Sequence, residues 1–145
     1  MESNYFAYGS NLLASQMRKR TDAARWPRLA FLPDYRLAFE MEGGDGCVYA
    51  NVRTPGDGVY GVVYRCTAEE LAALDRYETG YDRRSITVRD ADGKELPAEI
   101  YLAKPDRVTA ERAPSAEYWR RILTGAREQG LPEDYILQLQ SLAGV

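Results

Sequence analysis

The chain has 145 residues, enough for one domain to bury a core without disulfide staples, and its 45% hydrophobic and 28% charged residues are ordinary for a globular protein. A formal net charge of -3 argues against a nucleic-acid partner, which selects a basic face. There is no histidine, so Ser-His-Asp and Cys-His catalysis and imidazole zinc sites are excluded; proton transfer near neutral pH falls to a carboxylate, a tyrosine, a lysine or a perturbed thiol.

The N-terminal residues MESNYFAYGSNLL lack the basic start and apolar stretch of a secretory signal. Residues 4–8 are rich in aromatics and read as a strand. Gly9-Ser10-Asn11 breaks it, and 12–19 reads as a short helix with Ser10 or Asn11 as N-cap. Tyr35, Leu37, Phe39 and Met41 alternate with Arg36, Ala38 and Glu40, which is strand periodicity, and Gly43-Gly44-Asp45-Gly46 is a turn. Residues 47–53 and 59–66 are two more strands, joined through Pro55, Gly56, Asp57 and Gly58.

Thr67-Ala68-Glu69-Glu70 is a capping box, predicting a helix over 68–78 with Gly80 as a left-handed C-cap. Strands follow at 85–89 and 98–102, with Asp92-Gly93 as the hairpin turn. Ser115 caps a helix whose Tyr118, Trp119, Ile122, Leu123 and Ala126 form an apolar face; Gly130 ends it. Pro132 starts a last helix carrying Ile136, Leu139 and Leu142. No repeat, linker or low-complexity tract interrupts the chain, so residues 1–145 are expected to form a single domain. The expected class is α+β, with a mostly antiparallel sheet of about six strands and three or four helices. No apolar run approaches the ~20 residues of a membrane span. Cys47 and Cys66 read as reduced thiols of a cytoplasmic protein.

Three features could carry chemistry. Leu71, Leu74 and Glu78 share one helical face, so Glu78 is directed at the core from a helix C-terminus; burial and the dipole both raise its pKa toward the range of an acid/base catalyst. A partly exposed glutamate at a frayed helix end fits the same residues. Tyr8-Gly9-Ser10-Asn11-Leu12 is a strand-to-helix turn whose amides could cradle a carboxylate or an oxyanion, and ordinary helix capping explains it equally well. Tyr81 and Tyr101 could hydrogen-bond a substrate or Glu78, and Arg83 and Arg84 an anionic group, though each also suits a structural role. Cys47, Cys66 or Ser10 as a nucleophile lacks a base partner.

The opening Tyr5-Phe6-Ala7-Tyr8-Gly9-Ser10-Asn11-Leu12 resembles that of the γ-glutamylcyclotransferase (AIG2-like) family, and the similarity runs almost end to end. Pro55-Gly56-Asp57 with Val59-Tyr60-Gly61-Val62-Val63-Tyr64 resembles the family's central turn and strand. Leu74-Asp75-Arg76-Tyr77-Glu78 is similar to the segment bearing its catalytic glutamate, Ala98-Glu99-Ile100-Tyr101-Leu102 to its late strand, and Gly130-Leu131-Pro132 with Tyr135 to its closing helix turn. The run from Glu40 to Asn51 departs from a typical glycine-rich stretch.

The resemblance implies a barrel-like fold with a cavity between the opening motif and Glu78. It implies a cofactor-free and metal-free intramolecular aminolysis: a γ-glutamyl amide yields 5-oxoproline and a free amino acid or amine, with Glu78 as base and acid. Tyr8, Gly9, Ser10, Asn11, Leu12, Tyr81 and Tyr101 would surround the substrate. A γ-glutamylamine, glutathione or a γ-glutamyl-protected intermediate is an alternative substrate, and a binding module without turnover is the alternative of another class. The expected partner is a small γ-glutamyl molecule, with no nucleic acid or membrane, and the expected assembly a monomer or homodimer.

Overall fold

The computed structural model describes residues 2–21 and 26–145. Its strands are β1 (Glu2–Ala7), β2 (Arg28–Leu32), β3 (Arg36–Glu42), β4 (Val48–Arg53), β5 (Val59–Thr67), β6 (Tyr81–Asp90) and β7 (Glu95–Ala103). Its α-helices are α1 (Ala14–Arg20), α2 (Ala68–Asp75), α3 (Ala116–Glu128) and α4 (Glu133–Ala143). β5 lies between β1 and β2, with Tyr64 opposite Tyr5 and Gly61 opposite Ala30. β6 pairs with β2 and β7, and a parallel pair between Tyr5 and Glu99 joins β7 to β1 and closes the barrel. β3 and β4 form a separate antiparallel pair. No described helix is long and apolar enough to cross a membrane.

The expected mixed, mostly antiparallel, barrel-like sheet is the observed architecture, with β2 as a strand beyond those read from the sequence. Thr67 and Glu70 form the predicted capping box of α2, and Ser115 accepts the Tyr118 amide at the start of α3. The hairpin turn at Gly93 and the helix end at Gly130 both have positive φ, as expected. In α4, Ile136 and Leu139 are buried, whereas Leu142 is 38% exposed.

Three local expectations change. Neither Ser10 nor Asn11 caps a helix through its side chain: Ser10–Leu12 is a 3-10 turn, and α1 starts only after Leu13. α2 stops at Asp75, leaving Glu78 three residues beyond it. Gly80 is not among the left-handed glycines; it packs closely under Met41, whose sulfur would lie 2.7 Å from a Cβ at that position.

The alternation of β3 does not mark one wet face. Residues 37–41 are all buried, because α4 packs against the strand and the returning chain bonds its edge, with the Thr109 amide donating to the Glu40 carbonyl at 2.8 Å. Glu40 is therefore a fully buried carboxylate. It is satisfied by the Asn51 side-chain amide at 2.7 Å and Arg53 at 2.8 Å. Asn51 in turn accepts the Ala103 amide at 2.9 Å, which ties the β3–β4 pair to the end of β7.

Candidate functional site

One end of the barrel opens into a cavity of about 360 Å³ between the Tyr8–Asn11 turn, the β3–β4 hairpin, the loop after α2 and the start of α3. Glu78 lies on its wall, with its side chain only 15% exposed. The loop that carries it is set by α2's unravelling last turn: the Glu78 amide still donates to the Leu74 carbonyl at 3.1 Å, and the Tyr81 amide closes onto the Glu78 carbonyl at 3.1 Å. Glu78 thus faces the interior as expected, though from a loop; Asp75, at the helix terminus, supplies the nearby negative charge.

Glu78 Oε1 accepts from Asn11 Nδ2 and from the Arg20 guanidinium, each at 3.4 Å. Burial drives its pKa up to about 7, outweighing the charge of Arg20, which lowers it; the Asp75 carboxylate adds to the rise. Burial raises the phenols of Tyr5, Tyr8, Tyr81, Tyr101 and Tyr118, so these stay protonated donors near neutral pH. At the cavity's outer rim Asp45 is bonded by Tyr49, which keeps its carboxyl below the usual range. Among the cavity groups whose titration is shifted, Glu78 is the one brought to neutrality.

The predicted turn lines the cavity through Tyr8, Gly9, Ser10 and Asn11. Among the described residues, the amides of Gly9, Ser10 and Asn11 donate to no backbone carbonyl outside regular elements. Leu12 does not belong with them. Its side chain is fully buried, away from the cavity, and its amide is taken by the Gly9 carbonyl at 3.0 Å. Asn11 acts through its side chain, which reaches both Glu78 and the Tyr5 oxygen, at 2.9 Å for the latter.

The tyrosines divide by where their protons go. Tyr8 donates to the Tyr101 carbonyl at 2.6 Å, Tyr81 to the Ala50 carbonyl at 2.6 Å, and Tyr101 to Asp75 at 2.6 Å. All three line the cavity as expected, but their hydroxyl protons are committed to the protein. Tyr5 and Tyr118 use their oxygens as acceptors, from Asn11 and from the Ala50 amide at 3.1 Å, and their protons meet no acceptor among the described residues. Those phenols are the donors available to a ligand. Arg83 and Arg84 lie outside the cavity: Arg83 pairs with Asp75 and Glu99, both at 2.9 Å, and Arg84 with Asp82 at 3.7 Å.

Sequence reasoning missed Arg20 and Gln16 as well as the roles of Tyr5 and Tyr118. A signal existed for the first two. Gln16 and Arg20 are four apart and flank Met17 on the core side of a short helix, a polar pair where apolar residues are expected. Tyr118 is indistinguishable in the sequence from the apolar face of α3. Among the described residues no cluster of three or more Cys, Asp or Glu side chains could hold a metal.

Known proteins resemble this chain in sequence and fold. A family model described as gamma-glutamyl cyclotransferase, AIG2-like, matches residues 5–121. The gamma-glutamylcyclotransferase of Bos taurus is 34% identical over 149 residues, spanning 95% of this chain and 77% of that protein, and the one of Mus musculus is 35% identical with the same coverage. A solved gamma-glutamyl cyclotransferase superposes with a TM-score of 0.84 at 31% identity, covering 97% of this chain and 87% of its own. YkqA from Bacillus subtilis shares the fold, at a TM-score of 0.88 and 24% identity, over 99% of this chain and 54% of its own.

Proposed function

The chain belongs to the γ-glutamyl cyclotransferase, AIG2-like family of enzymes, and on that footing we propose that Glu78 is the base and then the acid in cyclisation of a small γ-glutamyl amide to 5-oxoproline and a free amine. One observation carries this reading: a glutamate is buried in the cavity wall beside Asn11 and Arg20, where desolvation pushes its pKa up to about 7. Such a group can take a proton and return it at physiological pH.

The substrate's α-ammonium gives a proton to Glu78, and the freed nitrogen attacks the γ-carbonyl carbon. A ring C–N bond forms and the carbonyl electrons move onto oxygen. On collapse the original amide C–N bond breaks, the leaving nitrogen takes the proton from Glu78, and the ring nitrogen gives up its second proton, which departs on the released amine as its ammonium and leaves Glu78 a carboxylate again. The site needs to supply only geometry, proton traffic and charge. Nucleophile and carbonyl belong to one molecule, and holding them in attack geometry supplies effective molarities of ~10⁵ M or more. The backbone of Gly9, Ser10 and Asn11 lines the same cavity, so its amides would serve the oxyanion or the glutamyl carboxylate, with the Tyr5 and Tyr118 phenols as further donors. One preorganised donor of this kind is worth about 3 kcal/mol in a dry site.

The leaving group would project toward Gly43, Gly44, Asp45, Tyr49 and Arg121 at the rim. The test is 5-oxoproline release from γ-glutamyl amino acids, γ-glutamylamines and glutathione, beside an α-N-acetyl analogue that lacks the nucleophile. Release from an unblocked substrate and none from the acetylated one is expected. Binding of every member without release from any would make the chain a binding module. The lining residues this chain supplies are enough for the reading in a monomer or in a homodimer with independent sites, and Cys47 and Cys66, which form no disulfide, suit the cytoplasm.

A further inference from the structure

A chain of hydrogen bonds runs from α3 to Glu78 and has one sense only. Arg121 NH1 donates to Gln16 Oε1 at 3.3 Å. A guanidinium has no acceptor, so the oxygen of the Gln16 carboxamide must face it and the nitrogen must face inward. That nitrogen donates to Ser10 Oγ at 2.6 Å and to Asn11 Oδ1 at 3.0 Å. Arg20 NH1 also donates to Asn11 Oδ1, at 3.3 Å. With only donors on that side, the Asn11 carboxamide is turned so that Nδ2 points at the Tyr5 oxygen and at Glu78 Oε1.

We propose that Gln16, itself oriented by Arg121, is a positioning residue that fixes the direction of the Asn11 carboxamide, so that Glu78 presents Oε1 to permanent donors and carries its catalytic proton on Oε2. The first part stands on geometry alone. The assignment of Oε2 rests on the proposed role of Glu78.

Gln16 is 8% exposed and Asn11 3%, so water does not replace a lost partner without cost. Oε1 faces Asn11 Nδ2 and Arg20 NH1, both of which bring hydrogens, so a proton on Oε1 would collide with them. Among the described residues Oε2 has no hydrogen-bond donor, which leaves it to exchange the proton with the substrate. Were the Asn11 carboxamide reversed, its oxygen would face Glu78 and would favour the protonated acid. Gln16 therefore sets the proton affinity of a carboxylate it never touches. The other groups acting on Glu78 are Arg20 from α1 and Asp75 from α2; it in turn acts on the phenols of Tyr5 and Tyr8 near β1, Tyr81 from β6, Tyr101 from β7 and Tyr118 from α3. None of them fixes the Asn11 carboxamide except Arg20.

The experiment is a carbon-NMR titration of the Glu78 carboxyl in the substrate-free protein, with the signal assigned by its loss in Glu78→Gln. Because it reads ionisation and not turnover, its result is independent of whether the cyclisation occurs. In Gln16→Met, which removes the donor without adding charge, the midpoint should rise by about half a unit to one unit. Arg121→Met should move it in the same direction by less, and Arg121→Lys, which keeps a donor and a charge, should restore it. With turnover established, the rising limb of kcat/KM against pH should move with the midpoint. An unchanged Glu78 midpoint in folded Gln16→Met overturns the proposal. If that variant does not fold, Arg121→Met decides, and a midpoint equal to wild type again overturns it.

Discussion

Glu78 holds its site at a cost in stability that depends on pH. Its folded pKa is about 7 against an ordinary 4.5, so the folded state holds the proton more tightly than the unfolded chain does. This contribution is fully present below about pH 4.5 and is lost as pH rises through 7. The penalty for the ionised, buried carboxylate is then on the order of 3 kcal/mol. Glu78→Gln should accordingly be more stable than wild type at pH 8, with the gap closing toward pH 5. Urea unfolding at both pH values checks it, and equal stability at pH 8 would mean Glu78 is not desolvated. Arg20→Met removes the charge that opposes burial, so the Glu78 titration should move up in that variant. Glu78 was legible in the sequence because a carboxylate in phase with Leu71 and Leu74 is out of place. Tyr5 and Tyr118 were not, because a phenol on a core face looks the same whether its proton is committed or free; only the hydrogen-bond map separates them from Tyr8, Tyr81 and Tyr101.

The opening turn is held by α3, and the contact is made at Gly125. A Cβ there would lie 2.5 Å from the Leu13 amide nitrogen and 2.6 Å from the Leu12 carbonyl carbon. Alanine normally favours a helix interior over glycine by about 1 kcal/mol. Here Gly125→Ala should instead destabilise by about 1–3 kcal/mol and lower turnover, because the Gly9–Leu12 turn must move. A thermal melt beside an activity assay tests this, and a more stable, fully active variant would show that the contact yields freely. At the β3–β4 pair, Asn51→Ala takes one donor from buried Glu40 and the acceptor from the Ala103 amide. A loss of about 2–4 kcal/mol is expected in denaturant unfolding. Capping and turn chemistry made the start of α2, the β6–β7 hairpin and the end of α3 readable. The end of α2 was not, since Arg76 and Tyr77 carry no stop signal and the last turn loosens gradually, with the Tyr77 and Glu78 amides still bonded to the Leu74 carbonyl. Nor was the double burial of β3, which follows from where α4 docks, a contact distant in sequence.

Barrel closure brings the site together from both ends of the chain. The Tyr5–Glu99 pair and the Tyr8 bond to the Tyr101 carbonyl each span more than half of the sequence. They place the opening turn, the loop after α2 and the end of β7 around one cavity. Tyr8→Phe should cost about 1 kcal/mol of stability while leaving the Glu78 titration in place, since the Tyr8 proton is spent on the backbone. The family resemblance of the opening motif made this architecture legible as a whole, whereas local patterns yielded only its pieces. No local pattern announces that β1 pairs with β7, because a parallel partner far along the chain leaves no periodic trace.

The central claim is that Glu78 moves the proton in a cyclisation. The most direct measurement is 5-oxoproline release by wild type and by Glu78→Gln on the best γ-glutamyl substrate, with both proteins shown to be folded. The account predicts release by wild type and a loss of about a hundredfold or more in the variant. A folded Glu78→Gln that turns over at the wild-type rate would contradict it.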